Sequence, residues 1–381
     1  MKNHSSLVRL CCLTVILGFG ALALSVSANA QASKIITFDA PGADLTPGDY
    51  NGTYSASVNV WGVITGSYQS SDTVFHGFIR TPDGKFTTFE APGADTTVGS
   101  YNGTSPSSIN ALGVITGIFW DANGLGHGFL RSPEGKFTTF DVPGVGGGGG
   151  TTPIAINLEG EIVGYYTDLN SSFRAFLRTP DGRFTTWIGP GACTGNGSEG
   201  CYGSGASNLN ALGTIAAGYN DNNFVHHGLL RTRDGKLIPY DVPGAQSTGC
   251  PGCDSGLNQL GWIAGNYSDT NTVNHGFVRS PDGKFVTFDA PGAGTDSYEG
   301  TGCPSDCATS INDSGAVMGT YIDSNFVYHG YLRTPNGKIV TIDPVGSVFT
   351  WSSGMNDLGT ITGYYLDPNG VFHGFLRTPA Q

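Results

Sequence analysis

A unit of roughly 50 residues recurs seven times after residue 33, and a repeat of this length restricts the possible folds more than any other feature. Each copy carries an Asn-x-x-Gly step and, 17 residues later, a His-Gly-Phe-type step; a Pro-Gly step follows after 17 more in six copies. The repeated asparagines are Asn59, Asn110, Asn157, Asn210, Asn258, Asn312 and Asn356. From each Pro-Gly step to the next asparagine the distance varies from 10 to 20 residues. A framework of fixed length therefore alternates with one variable loop, where insertions cost little free energy.

Each framework has the pattern of four short β-strands. In the second copy, residues 107–110, 114–119, 127–131 and 136–140 are rich in β-branched and aromatic residues. Between them lie Asn-x-x-Gly, Asp-x-Asn and Ser-Pro-Glu-Gly segments, whose residues favour tight turns. No segment shows a sustained helical period. One four-stranded meander buries too little apolar surface alone, so the copies must stack face to face.

The two ends of the repeat region complement each other. The last copy stops at Pro379, where its fourth strand should begin, while residues 34–42 resemble a fourth strand without a copy of its own. Pairing them would protect an exposed edge. The sequence therefore predicts an all-β fold: a seven-bladed β-propeller of four-stranded antiparallel blades, closed by the N-terminal strand completing the last blade. Residues 31–381 would form this single domain.

The N-terminus resembles a signal peptide. A basic start is followed by an apolar run and by Ala28-Asn29-Ala30, which predicts cleavage near Ala30 and a signal peptide over residues 1–30. No later segment is apolar enough to span a membrane. Removing residues 1–30 takes away Lys2 and Arg9 and leaves 16 basic against 30 acidic residues. We therefore expect a secreted or periplasmic protein, without a nucleic-acid partner and without affinity for an anionic membrane.

The His-Gly-Phe-Leu-Arg and Ile-Asn-x-x-Gly segments together resemble the bacterial extracellular HAF repeat family. The third copy is most similar, through Arg174-Ala175-Phe176 and residues 155–164. Most other copies depart from that family because they carry Gly where it has Ala. The resemblance spans residues 34–381 and implies export and a repeated β fold, but no particular biochemical activity.

The repeated histidines have predicted carboxylate partners. Folding the third strand of each copy onto the fourth brings a histidine opposite an acid 14 residues later, and the N-terminal strand supplies the last acid. The third copy has Arg174 and Ile188 instead, so both members change together. These spacings predict structural hydrogen-bonded pairs rather than a metal site, since one histidine per copy cannot converge on one ion. The pairs are His76–Glu90, His127–Asp141, His227–Asp241, His275–Asp289, His329–Asp343 and His373–Asp39.

Six cysteines follow the signal peptide, as three local pairs in the loops of successive copies. An oxidising compartment favours three loop disulfides, although zinc between the last two pairs and a redox-active Cys-x-x-Cys remain alternatives. The six are Cys193, Cys201, Cys250, Cys253, Cys303 and Cys307. The repeated Asp-x-Asn segments are interpreted as turns rather than calcium sites, because each offers too few oxygens. We predict no metal and no cofactor.

The variable loops, which would share one face of the propeller, are the predicted binding surface. Tyrosine and asparagine there could stack on and hydrogen-bond a sugar, or only pack their loops. The candidates are Tyr50, Asn51, Tyr101, Asn102, Tyr202 and Tyr298. The sequence favours a monomeric, non-catalytic binding or scaffold protein for carbohydrate or protein. The alternative is an extracellular hydrolase or lyase acting on polysaccharide through loop acids such as Asp254, Asp296 or Asp306, and no catalytic residue is identified.

Overall fold

The computed structural model describes residues 33–379 except 49–50, 147–148, 195–202, 250–254 and 303–307. In these residues all regular structure is β-strand. No described helix could cross a membrane. The proposed signal peptide, Tyr50, Tyr202 and five of the six cysteines lie outside the described residues.

Each of the first four repeats forms an antiparallel four-stranded meander in chain order, and the first is joined to the seventh repeat by a parallel bridge between Gly52 and Phe372. The first repeat contains β2 (Gly52–Val58), β3 (Ile64–Gln69), β4 (Phe75–Arg80) and β5 (Phe86–Phe89). The second contains β6 (Thr104–Ile109), β7 (Ile115–Trp120), β8 (Gly126–Arg131) and β9 (Phe137–Phe140). The third contains β10 (Thr151–Ile156), β11 (Ile162–Thr167), β12 (Phe173–Arg178) and β13 (Phe184–Trp187). The fourth contains β14 (Ser204–Leu209), β15 (Ile215–Asn220), β16 (His226–Arg231) and β17 (Leu237–Tyr240).

In the fifth and sixth repeats the first strand is present as two short segments that pair with the same second strand. The fifth repeat contains β18 (Ser247–Thr248), β19 (Gly256–Leu257), β20 (Ile263–Ser268), β21 (Asn274–Arg279) and β22 (Phe285–Phe288). The sixth contains β23 (Gly300–Thr301), β24 (Ser310–Ile311), β25 (Val317–Ile322), β26 (Tyr328–Arg333) and β27 (Ile339–Ile342). The seventh contains β28 (Phe349–Met355), β29 (Ile361–Leu366) and β30 (Phe372–Thr378), and β1 (Lys34–Phe38) precedes the first repeat.

The meander gives every repeat two different ends. The Asn-x-x-Gly turns and the turns between third and fourth strands share one end, which we name the turn face. The turns between second and third strands and the loops to the next repeat share the other, which we name the loop face. A cavity of about 480 Å³ on the turn face is lined by the Asn-x-x-Gly turns of all seven repeats, including Asn59, Asn157 and Asn356.

The apolar core lies between the repeats rather than within them. One cluster joins Phe89 of the first repeat to Ile109, Ile115 and Phe129 of the second, and similar clusters join other neighbours. Because a single sheet leaves both faces exposed, each repeat depends on its neighbours for burial. The fold is therefore stabilised mainly by contacts between sheets.

Two polar contacts recur at these interfaces. In six of the seven repeats the side-chain amide of the repeated asparagine donates to the main-chain oxygen of the next repeat's asparagine, as from Asn110 to Asn157 at 3.0 Å. An arginine at the end of the third strand lies over an aromatic ring on the fourth strand of the preceding repeat, as Arg131 over Phe89 at 4.8 Å. Such cation–π contacts add about 0.5–2 kcal/mol each when they are shielded from water.

The chain termini take part in the same interface. Strand β1 pairs antiparallel with β30 over its whole length, from Lys34 opposite Thr378 to Phe38 opposite Gly374. Phe38 then contacts the first repeat, 5.9 Å from the ring of Phe86 and under the guanidinium of Arg80. A Cβ at Gly374 would overlap the Phe38 ring, and the same overlap at Gly77, Gly128, Gly228 and Gly276 explains why these copies require glycine.

His373 and Asp39 hold the two termini together. Their Nδ1 and Oδ1 atoms are 2.8 Å apart. The hydrogen bond to Asp39 raises the pKa of His373 above its ordinary 6.5, although burial opposes this shift. Because the folded pKa exceeds the unfolded one, the bond contributes most below pH 6.5, and its contribution is lost as the pH rises through the folded pKa.

Replacing Phe38 with Ala should destabilise the whole chain, because Phe38 is buried between β30 and the first repeat. We expect a loss of about 3–5 kcal/mol in the free energy of unfolding, measured by urea denaturation. Leu358→Ala is the matched control, since Leu358 is 65% exposed, and should cost less than about 1 kcal/mol. Equal losses in both variants would contradict the role of β1.

The effect of Asp39→Asn on stability should depend on pH. We expect urea denaturation to show a larger loss at about pH 5.5, where His373 is protonated, than at about pH 8.5. Asp83→Asn is the control, because Lys85 and Thr81 lower the pKa of Asp83 to about 2 and it stays ionised across this range. A loss from Asp39→Asn that is equal at both pH values would contradict the assigned protonation.

Candidate functional site

The loop face contains a cavity with six aromatic side chains in its wall and a volume of about 420 Å³. Its rings come from the seventh, first and second repeats, and Ile154 and Ala308 of the third and sixth repeats also line it. We name it the aromatic cavity; its rings belong to Tyr54, Phe75, Tyr101, Trp120, Trp351 and Tyr364. Small polar residues complete its wall, among them Ser55, Ser67, Ser105 and Ser352.

Adjacent strands hold these rings against one another. Trp351 on β28 and Tyr364 on β29 are direct cross-strand partners, and their rings stack 5.4 Å apart at an interplanar angle of 20°. Tyr54 on β2 meets Tyr364 edge-on at 5.2 Å, across the interface between the seventh and first repeats. Packing on the sheet therefore fixes the wall of the cavity before any ligand arrives.

The aromatic residues of the cavity are not shared by all repeats. The cross-strand pair Trp351–Tyr364 corresponds to Ser105–Ile118 in the second repeat and to Gly205–Gly218 in the fourth. The framework does not need aromatic rings at these positions, since the second repeat folds with serine and isoleucine there and the fourth with two glycines. The aromatic residues gathered on this side of the loop face therefore serve a purpose other than folding.

The lining chemistry suits binding more than proton transfer. Among its described residues are aromatic rings and serine hydroxyls but no carboxylate, histidine, lysine or arginine. The hydroxyl of Ser352 is buried and has no hydrogen-bond partner. Rings can stack on a flat apolar surface, while hydroxyls donate to and accept from polar groups.

Among the predicted ligand residues that the structure describes, Tyr101 alone lines the aromatic cavity. Its side chain is 57% exposed, and its backbone is left-handed with φ 56°. Tyr298 has the same exposure and a φ of 66°, but it lies between the fifth and sixth repeats and outside the cavity. Of the two described tyrosines among the sequence candidates, only Tyr101 is brought to this cavity.

The two predicted asparagines hold their loops in place. The Asn51 amide donates to the main-chain oxygen of Thr46 at 2.9 Å. The Asn102 amide donates to Asp95 at 3.0 Å. Their own main-chain oxygens accept from Phe372 and Phe75 of the neighbouring repeat. Their side chains are therefore already used within the protein.

All six predicted histidine–carboxylate pairs lie within hydrogen-bonding distance on the loop face. The five histidine–aspartate pairs have Nδ1–oxygen distances of 2.8–3.0 Å, and His76 bonds Glu90. Each histidine also stacks on a tyrosine or phenylalanine of the second strand, at ring distances of 4.9–5.1 Å. In the third repeat Arg174 instead bonds Asp168 at 2.5 Å.

The Asp-x-Asn segments form hydrogen-bonded turns. Oδ1 of Asp121 accepts from the main-chain amides of Asn123 and Leu125, both at 2.9 Å. The Leu125 amide and the Asn123 side chain lower the pKa of Asp121 to about 2, so it stays ionised. Among the described residues no group of three or more His, Cys, Asp or Glu could hold a metal ion. Cys193 is disulfide-bonded, and the predicted pairing partners lie outside the described residues.

No protein-family model matches this chain, and no curated protein matches it. Similar solved structures include the BP39L lectin from Burkholderia pseudomallei, with 9% identity and a TM-score of 0.55 over 92% of this chain and 98% of the lectin. The β-propeller domain of the Trilobed protease from Pyrococcus furiosus, which has an open velcro topology, gives 9% identity and a TM-score of 0.54 over 85% and 95% of the two chains.

The acylaminoacyl peptidase of Pyrococcus horikoshii is also similar, with 8% identity and a TM-score of 0.51; the match covers 85% of this chain and 51% of the peptidase. At such identities the likeness concerns the fold and not the ligand or the chemistry. Together with the four-stranded antiparallel sheets, these comparisons show that the chain has a β-propeller fold.

Proposed function

We propose that this chain is an exported, non-catalytic propeller of seven blades that binds a carbohydrate in the aromatic cavity. Export rests on the signal-peptide pattern of residues 1–30. Closure of the seven blades is supported by the pairing of β1 with β30 and by the hydrogen bond from the Asn356 amide to the Asn59 oxygen at 2.8 Å. The HAF resemblance agrees with an exported repeat protein and leaves the ligand open.

The observation that carries the proposal is the composition of the cavity wall. Six aromatic side chains and several serines surround a space of about 420 Å³. A sugar ring has apolar faces edged by hydroxyls, so it can stack on Trp351 or Trp120 while it hydrogen-bonds serine. The volume is that of a small-molecule site, whereas protein partners usually meet broad and flatter surfaces.

A hydrolase acting on polysaccharide is less well supported by the same cavity. Glycoside cleavage needs two carboxyl groups on either side of the scissile bond. The described lining residues include none. Asp296 is exposed and lies outside the lining, and Asp254 and Asp306 lie outside the described residues. Binding without turnover is therefore the activity that these side chains favour.

Replacing Trp351 with Ala should weaken carbohydrate binding. A glycan array probed with the mature protein identifies the ligand, and calorimetry then measures its affinity. We expect Trp351→Ala to cost about 2 kcal/mol, or roughly thirtyfold in Kd, as is typical of a buried aromatic contact. Trp61→Ala is the matched control, because Trp61 is on the turn face and should leave the affinity unchanged.

Tyr101→Asn provides a second test that does not depend on packing. Tyr101 is exposed, and asparagine tolerates its left-handed backbone, so folding should be retained. We expect weaker binding with an unchanged melting temperature. Failure of every glycan to bind the wild type, or release of product from a bound polysaccharide, would overturn the proposal.

A further inference from the structure

Six large apolar side chains protrude from the Asn-x-x-Gly turns of the turn face. Five of them are the third residue of their turn and are 61–70% exposed, whereas the sixth, Leu158, is the second residue of its turn and is 50% exposed. We name this set the apolar crown: Trp61, Leu112, Leu158, Leu212, Leu260 and Leu358. The third position is Glu159 in the third repeat and Ser314 in the sixth. Because the repeats are arranged alike, the five third-position side chains stand at a common level, and Leu158 lines the cavity of the turn face.

Folding does not require the crown. The turn is fixed by the repeated asparagine, whose Oδ1 accepts from the main-chain amide of the crown residue in four repeats, as in Asn110 and Leu112 at 3.0 Å. Ser314 shows that a small polar residue fits the same turn. Six exposed apolar side chains collected on one face are characteristic of an interaction surface.

The net charge of the chain conceals a strong separation of charge. Among the described residues, fifteen of the sixteen lysines and arginines lie at the turn-face ends of their strands or in the adjoining turns, together with nine acids. The loop face has seventeen described acids and one cation, Arg174. The protein is acidic overall, yet its turn face has an excess of positive charge.

Much of that excess comes from the arginines at the end of the third strand in every repeat. No described carboxylate forms an ion pair with any of the seven, although the neighbouring turns pair Lys85 with Asp83 at 2.7 Å and Arg183 with Asp181 at 2.6 Å. Six of the arginines lie over an aromatic ring, and burial lowers the pKa of several, including Arg80 and Arg131. A guanidinium over a ring keeps its charge, so these residues supply a positive field beneath the crown.

We infer that the turn face docks onto a lipid bilayer whose surface carries anionic headgroups. Leucine and tryptophan side chains would enter the interfacial region, and the surrounding cations would meet the headgroups. Two turn faces of this chain would repel each other, which disfavours a second copy as the occupant. Docking in this orientation leaves the loop face and the aromatic cavity directed away from the membrane. The inference does not rest on the carbohydrate proposal.

Vesicle co-sedimentation tests the inference. The full mature chain is mixed with vesicles of phosphatidylcholine alone or with roughly one third phosphatidylglycerol, at low and high salt. We expect binding to the mixed vesicles that weakens with salt. The crown variant combines Leu112→Ser, Leu212→Ser, Leu260→Ser and Leu358→Ser, changes that the sixth repeat already accommodates, and its affinity should fall about tenfold or more.

The matched control removes apolar side chains from the loop face through Leu169→Ser, Phe224→Ser and Phe326→Ser. Ser171 occupies the corresponding left-handed position of the third repeat, so the two phenylalanine changes should fold. This control should bind vesicles as the wild type does. Absence of wild-type binding, equal binding by the crown variant, or a wild-type dimer that the crown variant dissociates would each overturn the inference. Carbohydrate affinity should be the same in the crown variant and the wild type.

Discussion

The structure depends on the contact between neighbouring sheets. A single four-stranded sheet exposes both of its faces, and only the next sheet can cover them. Here that cover combines apolar clusters with a hydrogen bond between successive asparagines and an arginine lying on an aromatic ring. All three contacts involve framework residues at fixed spacing. The connecting loops supply neither the hydrogen bond nor the arginine contact, which explains why their length varies by ten residues without disturbing the repeat.

The framework could be predicted from sequence because its spacing determines its register. Tight turns bring the third strand onto the fourth, so an acid 14 residues beyond a histidine lies beside it, as His275 lies beside Asp289 at 2.8 Å. The same reasoning predicted that residues 34–42 pair with the last copy, and β1 within that segment pairs with β30. The split first strands of the fifth and sixth repeats were not predicted, because the pattern of those short segments resembles that of a loop.

The aromatic cavity was missed for the opposite reason. A search for repeats reveals what the copies share, whereas Trp351, Tyr364 and Tyr54 mark where they differ. The loop residues that were predicted, Asn51 and Asn102, are instead bonded to Thr46 and Asp95 of their own loops. Comparing each inner-strand position across the copies would have exposed the aromatic exceptions before any coordinates. The charge separation was missed for a similar reason, because the net charge of the chain adds the positive turn face to the negative loop face.

Symmetric and asymmetric features of such a scaffold serve different physical ends. A contact repeated in six of the seven copies, such as the asparagine chain or the arginine stack, acts nearly equally around the molecule and so supports stability or a broad surface interaction. The crown belongs to this class, although the third turn position is Glu159 in the third repeat and Ser314 in the sixth. A site that selects one ligand needs a particular arrangement of groups. If all copies were identical, that arrangement would occur once in every copy and would not form a single site. The cavity at Trp351 therefore lies where the copies diverge.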